Sequence, residues 1–260
     1  MPSAPQLLDV LSYLQLAGQL LLVAHLVRSG LRGAYQSFLF LLLASSVREA
    51  VLLAVSSRDL SLYGVLYVAS APVIWLGYIL TTLEIYGRVL RGYPGIASVA
   101  RWVLVAVAPV SVLGSLASLL PEMAESARKY FWLMAESMIT RAVCGSILAF
   151  LLLISVFLVW CPVRVARNTV RHAFLLSVLL LVQTAALLIR DSGGYALNPW
   201  LNVVFGVSGL ILVLAWLALL QPAGEQGAVV VRPRFGAEDE RRLLQQLDSI
   251  NATLSRSTRK

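Results

Sequence analysis

Seven apolar runs, each about twenty residues or longer, dominate the sequence: residues 6–27, 34–55, 62–86, 99–120, 131–160, 169–189 and 199–220. A hydrocarbon layer about 30 Å thick is crossed by about twenty helical residues, so each run matches one crossing. The runs are continuously apolar and rich in Leu and Ala, without the alternation a membrane strand requires, so helices are expected. Hydrophobic residues make up 59% of the chain and charged residues 13%. That charged share is about half of what a soluble domain uses to cover its surface. The expected fold is all-α: a polytopic membrane bundle of seven transmembrane helices over 1–220, followed by a tail over 221–260.

The connections set the expected orientation. Arg28 and Arg32, then Arg88, Arg91 and Arg101, then Arg164, Arg167 and Arg171 fall at the odd-numbered turns, without an acid among them. The even-numbered turns hold Arg58, Arg128, Lys129 and Arg190, beside Asp59, Glu122, Glu125 and Asp191. Basic residues mark the cytoplasmic side, so the N-terminus is expected outside and the C-terminus inside. The net charge of +8 follows from that asymmetry, and no nucleic-acid partner is expected. The lipid bilayer is the expected surroundings.

In the tail, Pro222 to Gly236 reads as a linker, with the basic-apolar piece Val229 to Phe235 suited to anionic headgroups. Glu238, Asp239 and Glu240 then open an amphipathic helix over about 237–255. Leu243, Leu247, Ile250 and Leu254 form a seam two heptads long. The seam is suited to a protein partner, a homodimer, the bundle's own cytoplasmic face or the membrane.

Charges inside a bilayer are costly and mark functional or structural networks. Arg48 and Glu49 lie in the outer half of the second span, and Glu136 and Arg141 at the start of the fifth. Adjacent helical residues point about 100° apart, so Arg48 and Glu49 each need a partner elsewhere. The natural pairings are Arg48 with Glu136 and Glu49 with Arg141, although the uncharged stretch 142–161 could span alone and leave the fifth-span charges at the rim. Gln183 and Asn202 fall at similar depth. A polar cluster open to the outside is expected, either a ligand site or an ion-pair network that fixes packing. Glu84 precedes Arg88 by four residues, the favourable order for a helical ion pair. His25 and His172 end and begin spans at similar depth, and two such histidines are candidate haem or metal ligands; ordinary interfacial histidines beside Arg28 and Arg171 are the alternative. No cofactor is expected.

Several activities lack their residues. Lys129 and Lys260 are the only lysines, and neither sits in a span to carry a Schiff base. No HExxH, P-loop or GxSxG pattern occurs. Two stretches, Glu84 to Ile96 (EIYGRVLRGYPGI) and Ala166 to His172 (ARNTVRH), together with the seven-span layout, resemble a family of seven-helix bacterial inner-membrane proteins seen especially in acidobacteria. The resemblance covers roughly residues 7–220, implies a multi-pass protein of the bacterial inner membrane and carries no catalytic implication. The helix count is also loosely similar to seven-helix sensor modules, although forty tail residues hold no output enzyme. The expected function is a non-enzymatic sensor, scaffold or accessory subunit acting through partners. A small-solute or ion transporter is the first alternative, a haem-binding redox protein the second.

Overall fold

The computed structural model describes residues 4–56, 59–91, 127–160, 164–193 and 198–230, with helical positions at 242, 245–246 and 248–252. Six long helices carry the fold: α1 (Ala4–Arg28), α2 (Gln36–Ser56), α3 (Leu60–Val89), α4 (Ala127–Trp160), α5 (Arg167–Gly193) and α6 (Asn198–Leu219). Each contains a stretch of 21 to 29 residues long and apolar enough to cross a membrane. This supports a helical membrane bundle. The expected span 99–120 lies outside the described residues.

The helices pack in chain order into a closed ring: α1 on α2, α2 on α3, α3 on α4, α4 on α5, α5 on α6, and α6 back on α1. A ring of amphipathic helices in water would be polar outside. Here the outside is apolar as well, with Leu21, Val47, Val65, Leu153, Phe174 and Ile211 all exposed. A surface apolar on both faces is what lipid solvation permits. Close approach of α2 and α3 depends on Gly77. A Cβ there would come within 2.8 Å of the Leu41 side chain and 3.4 Å of its Cα.

α3 starts ahead of its apolar run because its first turn is capped. Asp59 caps α3, its carboxylate accepting from the backbone N–H groups of Ser61 and Leu62 at 2.8 and 3.1 Å. Those bonds, Leu62's first, hold its pKa below the ordinary value. The cap is therefore fully formed above the usual carboxylate range and fades as pH falls through the lowered value. Between α1 and α2, Gly30 turns the chain at φ 73°, in the left-handed region, and a 3-10 turn (Leu31–Gly33) leads into α2.

The tail departs from the linker expected of it. A one-turn helix, α7 (Pro222–Gln226), and a strand, β2 (Ala228–Val230), fold back onto the bundle. β2 pairs antiparallel with β1 (Arg164–Ala166), Val165 opposite Val229. The backbone N–H of Arg167 extends the pairing to the Gly227 carbonyl at 3.0 Å. A local reading of Pro, Ala and Gly sees only a breaker-rich connection; the pairing is supplied by the turn before α5, more than sixty residues earlier. Of the expected tail seam, Leu243, Leu247 and Leu254 lie outside the described residues. Ile250 is helical and exposed.

Candidate functional site

The ring has two unlike ends. At one, where α1 finishes and α2 begins, stand Arg28, Arg32, Arg88 and Arg171; we call it the basic end. At the other, α2 finishes and α3 begins, and a cavity of about 470 Å3 opens into the ring. All six helices line it.

Near the mouth are Asp9 of α1, Tyr63 of α3, Arg190 of α5 and Asn202 of α6. Farther in lie Arg48 and Glu49 of α2, Tyr67 of α3 and Glu136 of α4. Arg48 is eight residues from the end of α2, about 12 Å in. Its guanidinium sits 4.4 Å over the Tyr67 ring and donates to the Tyr67 carbonyl at 3.2 Å. Its Nε is buried without a partner among the described residues. Deeper still are Gln15, Trp75, Tyr78, Thr140 and Gln183, with the Tyr78 hydroxyl donating to Gln183 Oε1 at 3.3 Å. The Trp75 indole donates to Thr140 Oγ1 at 2.9 Å, and that hydroxyl donates to Glu136 Oε1 at 2.9 Å. Arg190 donates to Ser137.

Of the six residues expected in a polar cluster, Arg48, Glu49, Glu136, Gln183 and Asn202 share this cavity, whereas Arg141 is not among its lining. Glu136 is 6% exposed and inside the bundle, not above its rim. α4 extends back to Ala127, more than two turns before Glu136, so this residue lies within the ring. The expected Arg48–Glu136 ion pair does not form. Arg48 is drawn to Tyr67 and the carboxylate to Thr140. The proposed Glu49–Arg141 pairing meets a geometric obstacle, since α3 stands between α2 and α4 in the ring. Sequence reasoning placed Arg190 in a loop beside Asp191. The helical pattern continues to Gly193, which puts Arg190 in the last turns of α5.

The basic end is sealed by the tail. Glu225 of α7 accepts from Arg88 at 2.7 Å and from the Tyr35 hydroxyl at 3.0 Å. Arg88 also donates to the Ala34 carbonyl and sits 4.2 Å over the Tyr35 ring. Burial, with Glu225 adding to it, raises the Tyr35 pKa above its ordinary value, so the phenol keeps the proton it donates. Glu84, expected to pair with Arg88, instead accepts from the Ser37 N–H at 2.6 Å and caps α2. The unpaired N–H groups of a helix start attract a carboxylate, and the tail supplies Arg88 with another.

The remaining tail contacts are backbone-directed. Asn168 donates to the Gln221 carbonyl at 2.7 Å, and Arg171 to Leu219 at 2.8 Å. Gly224 is buried against Asn168; a Cβ there would fall on the Asn168 carboxamide. The two histidines have different partners. His25 Nε2 donates to the Leu220 carbonyl at 2.9 Å. His172, fully buried, accepts from the Trp216 indole at Nδ1, 3.0 Å away, and packs against Phe38 and Tyr35. That bond places the ring proton on Nε2, which has no partner among the described residues. Among the described residues, no group of three or more His, Cys, Asp and Glu is arranged to hold a metal ion. The site therefore offers a polar, mixed-charge recess at one end of the ring and a tail clamped by side chains at the other.

No family model, curated protein or solved structure matches the chain.

Proposed function

We propose that this chain is a seven-span, non-enzymatic sensor of the bacterial inner membrane, which binds a small polar or polar-headed ligand in the cavity and reports it through its C-terminal tail to a partner. The observation that carries the reading is the double role of α3. It contributes Tyr63, Tyr67, Trp75 and Tyr78 to the cavity, and Arg88 of the same helix holds Glu225 of the tail. A ligand that tilts or shifts α3 changes the clamp at its far end.

The charge asymmetry supports an orientation with the cavity outside and the clamp in the cytoplasm. The odd span count is supported by connectivity. α3 ends at the basic end, α4 starts at the opposite one, and the apolar run 99–120 is the right length to return the chain. The resemblance noted above supports the bacterial inner membrane.

The test fills the cavity covalently. In a chain with Cys144 and Cys161 replaced by Ala, Ser12→Cys is coupled to a water-soluble maleimide, and trypsin cleavage in the tail is timed. Allosteric couplings commonly amount to about 5- to 150-fold, so cleavage should speed up by about fivefold or more. An unchanged rate in a fully coupled sample contradicts the reading.

A transporter is the second reading, favoured by intramembrane charges that line an open cavity. It requires solute flux in proteoliposomes that Arg48→Leu abolishes.

A further inference from the structure

The cavity wall is shared with a second recess. Between α2 and α3, on the outer side of the ring formed by the described helices, runs an apolar groove of about 380 Å3. Arg48, Leu52 and Ile74 line both the groove and the polar cavity. Along α2 the groove extends from Phe40 to Leu52, twelve residues, roughly 18 Å. That length suits an extended hydrocarbon chain better than a compact solute. Among the described residues that line it, Arg48 alone is charged, and Ser70 spends its hydroxyl on its own helix at Leu66 and Tyr67.

The polar side has charges of both signs left over. Among the described residues, Arg48 keeps a buried Nε without a partner. Asp9 and Glu49 make no hydrogen bond or ion pair among the described residues, and the Glu49 carboxylate lies near Tyr63. A purely anionic head would satisfy Arg48 and crowd the carboxylates; a purely cationic one would do the reverse. A head with both an acidic group and an amine meets both sets. Its acidic group belongs on Arg48 and its ammonium between Glu49 and the tyrosine faces, an arrangement carboxylates and aromatic rings both favour.

We infer that the ligand of this site is a single-chain zwitterionic amphiphile, its acyl chain in the α2–α3 groove and its head passing Arg48 into the polar cavity. This rests on the reading of the cavity as a ligand site and names the ligand's class. It also assigns Arg48 the position of a gatepost between the groove and the cavity, which accounts for a guanidinium held in the middle of an apolar helix.

The experiment uses the full chain in phosphatidylcholine nanodiscs and lysophosphatidylethanolamine carrying a diazirine in its acyl chain. Photolabelling should saturate, map to α2 and α3 residues lining the groove, and be displaced by the unlabelled lipid. Truncating one partner of a desolvated charge pair costs enough to weaken binding about tenfold or more, so Arg48→Gln and Glu49→Gln should each do so. Lysophosphatidic acid, without the amine, and monoacylglycerol, without charge, should compete about tenfold less well or worse. Ala44→Phe, which fills the groove away from the polar residues, should abolish labelling while Ser12→Cys remains open to maleimide, showing that the bundle is intact. Labelling that does not saturate, or that Arg48→Gln and the choice of head group leave unchanged, is boundary lipid and overturns the inference. If that occurs while maleimide on Ser12→Cys still releases the tail, only the ligand class falls. If Ser12→Cys is unreachable, the ligand site falls with it.

Discussion

Gly224→Ala should unseat the tail from the basic end of the bundle. The added methyl lands on the Asn168 carboxamide, and that side chain has little room to retreat. Asn168 is fully buried at the start of α5, donates to the Gln221 carbonyl and has an Oδ1 without a partner among the described residues. Overpacking of this kind costs about 1–3 kcal/mol. Because α7 is a single turn held by few contacts, that cost falls on docking, not on the long helices. Trypsin should therefore cut the tail about ten- to a hundredfold faster, which corresponds to about 1.4–2.8 kcal/mol, while the melting of the bundle barely moves. Asn168→Ala removes the obstructing atoms, so the double variant should resemble Asn168→Ala alone and not the sum of the two changes. Simple additivity would show that Gly224 does not pack on Asn168.

Arg88→Leu should release the tail nearly as strongly, for a different reason. It removes the partner of Glu225, the donor to the Ala34 carbonyl and the cation over Tyr35 together. Hydrogen bonds to charged groups contribute about 1.5–3 kcal/mol each when shielded, and less where water reaches them. The two side chains are 20% and 31% exposed, so we expect about 2 kcal/mol in all, roughly a thirtyfold rise in tail cleavage. Arg88→Lys should fall between the two. A lysine keeps the charge for Glu225 but lacks the planar fork that reaches Ala34 at the same time. Equal effects of Leu and Lys would mean that geometry at Ala34, not charge at Glu225, holds the clamp.

The membrane helices were legible in the sequence because lipid imposes a length and forbids polar backbone, and both leave a local trace. The depth of Arg48, Glu49, Gln183 and Asn202 could be counted from the ends of their helices, which is why those residues were expected together. Helix neighbours could not be counted. The pairing of Glu49 with Arg141 assumed that α2 and α4 meet, and only the ring order shows α3 between them. Glu136 was expected in the same cluster, but its depth was open, because α4 is longer than one crossing needs and the uncharged stretch 142–161 could span alone.

The tail was misread for a related reason. Pro222, Gly224 and Gly227 are local signals of a flexible connection, whereas the features that fix it are distant. Asn168 requires a residue without a Cβ at 224, and Arg88 with Tyr35 requires an acid at 225. Even the i, i+4 pair of Glu84 and Arg88 gives way, because the start of α2 and the tail each offer a closer partner.

The proposed sensor requires a recess reachable from one membrane face and a clamped tail at the other. Labelling by a membrane-impermeant maleimide in intact cells tests it most directly. Asn202→Cys, at the mouth, and Ser12→Cys, farther in, should react from outside, while Gln226→Cys, exposed beside Glu225, should react only after the cells are permeabilised. Reaction of Asn202→Cys and Gln226→Cys from the same side, or a Ser12→Cys that no reagent reaches from either side, would contradict it.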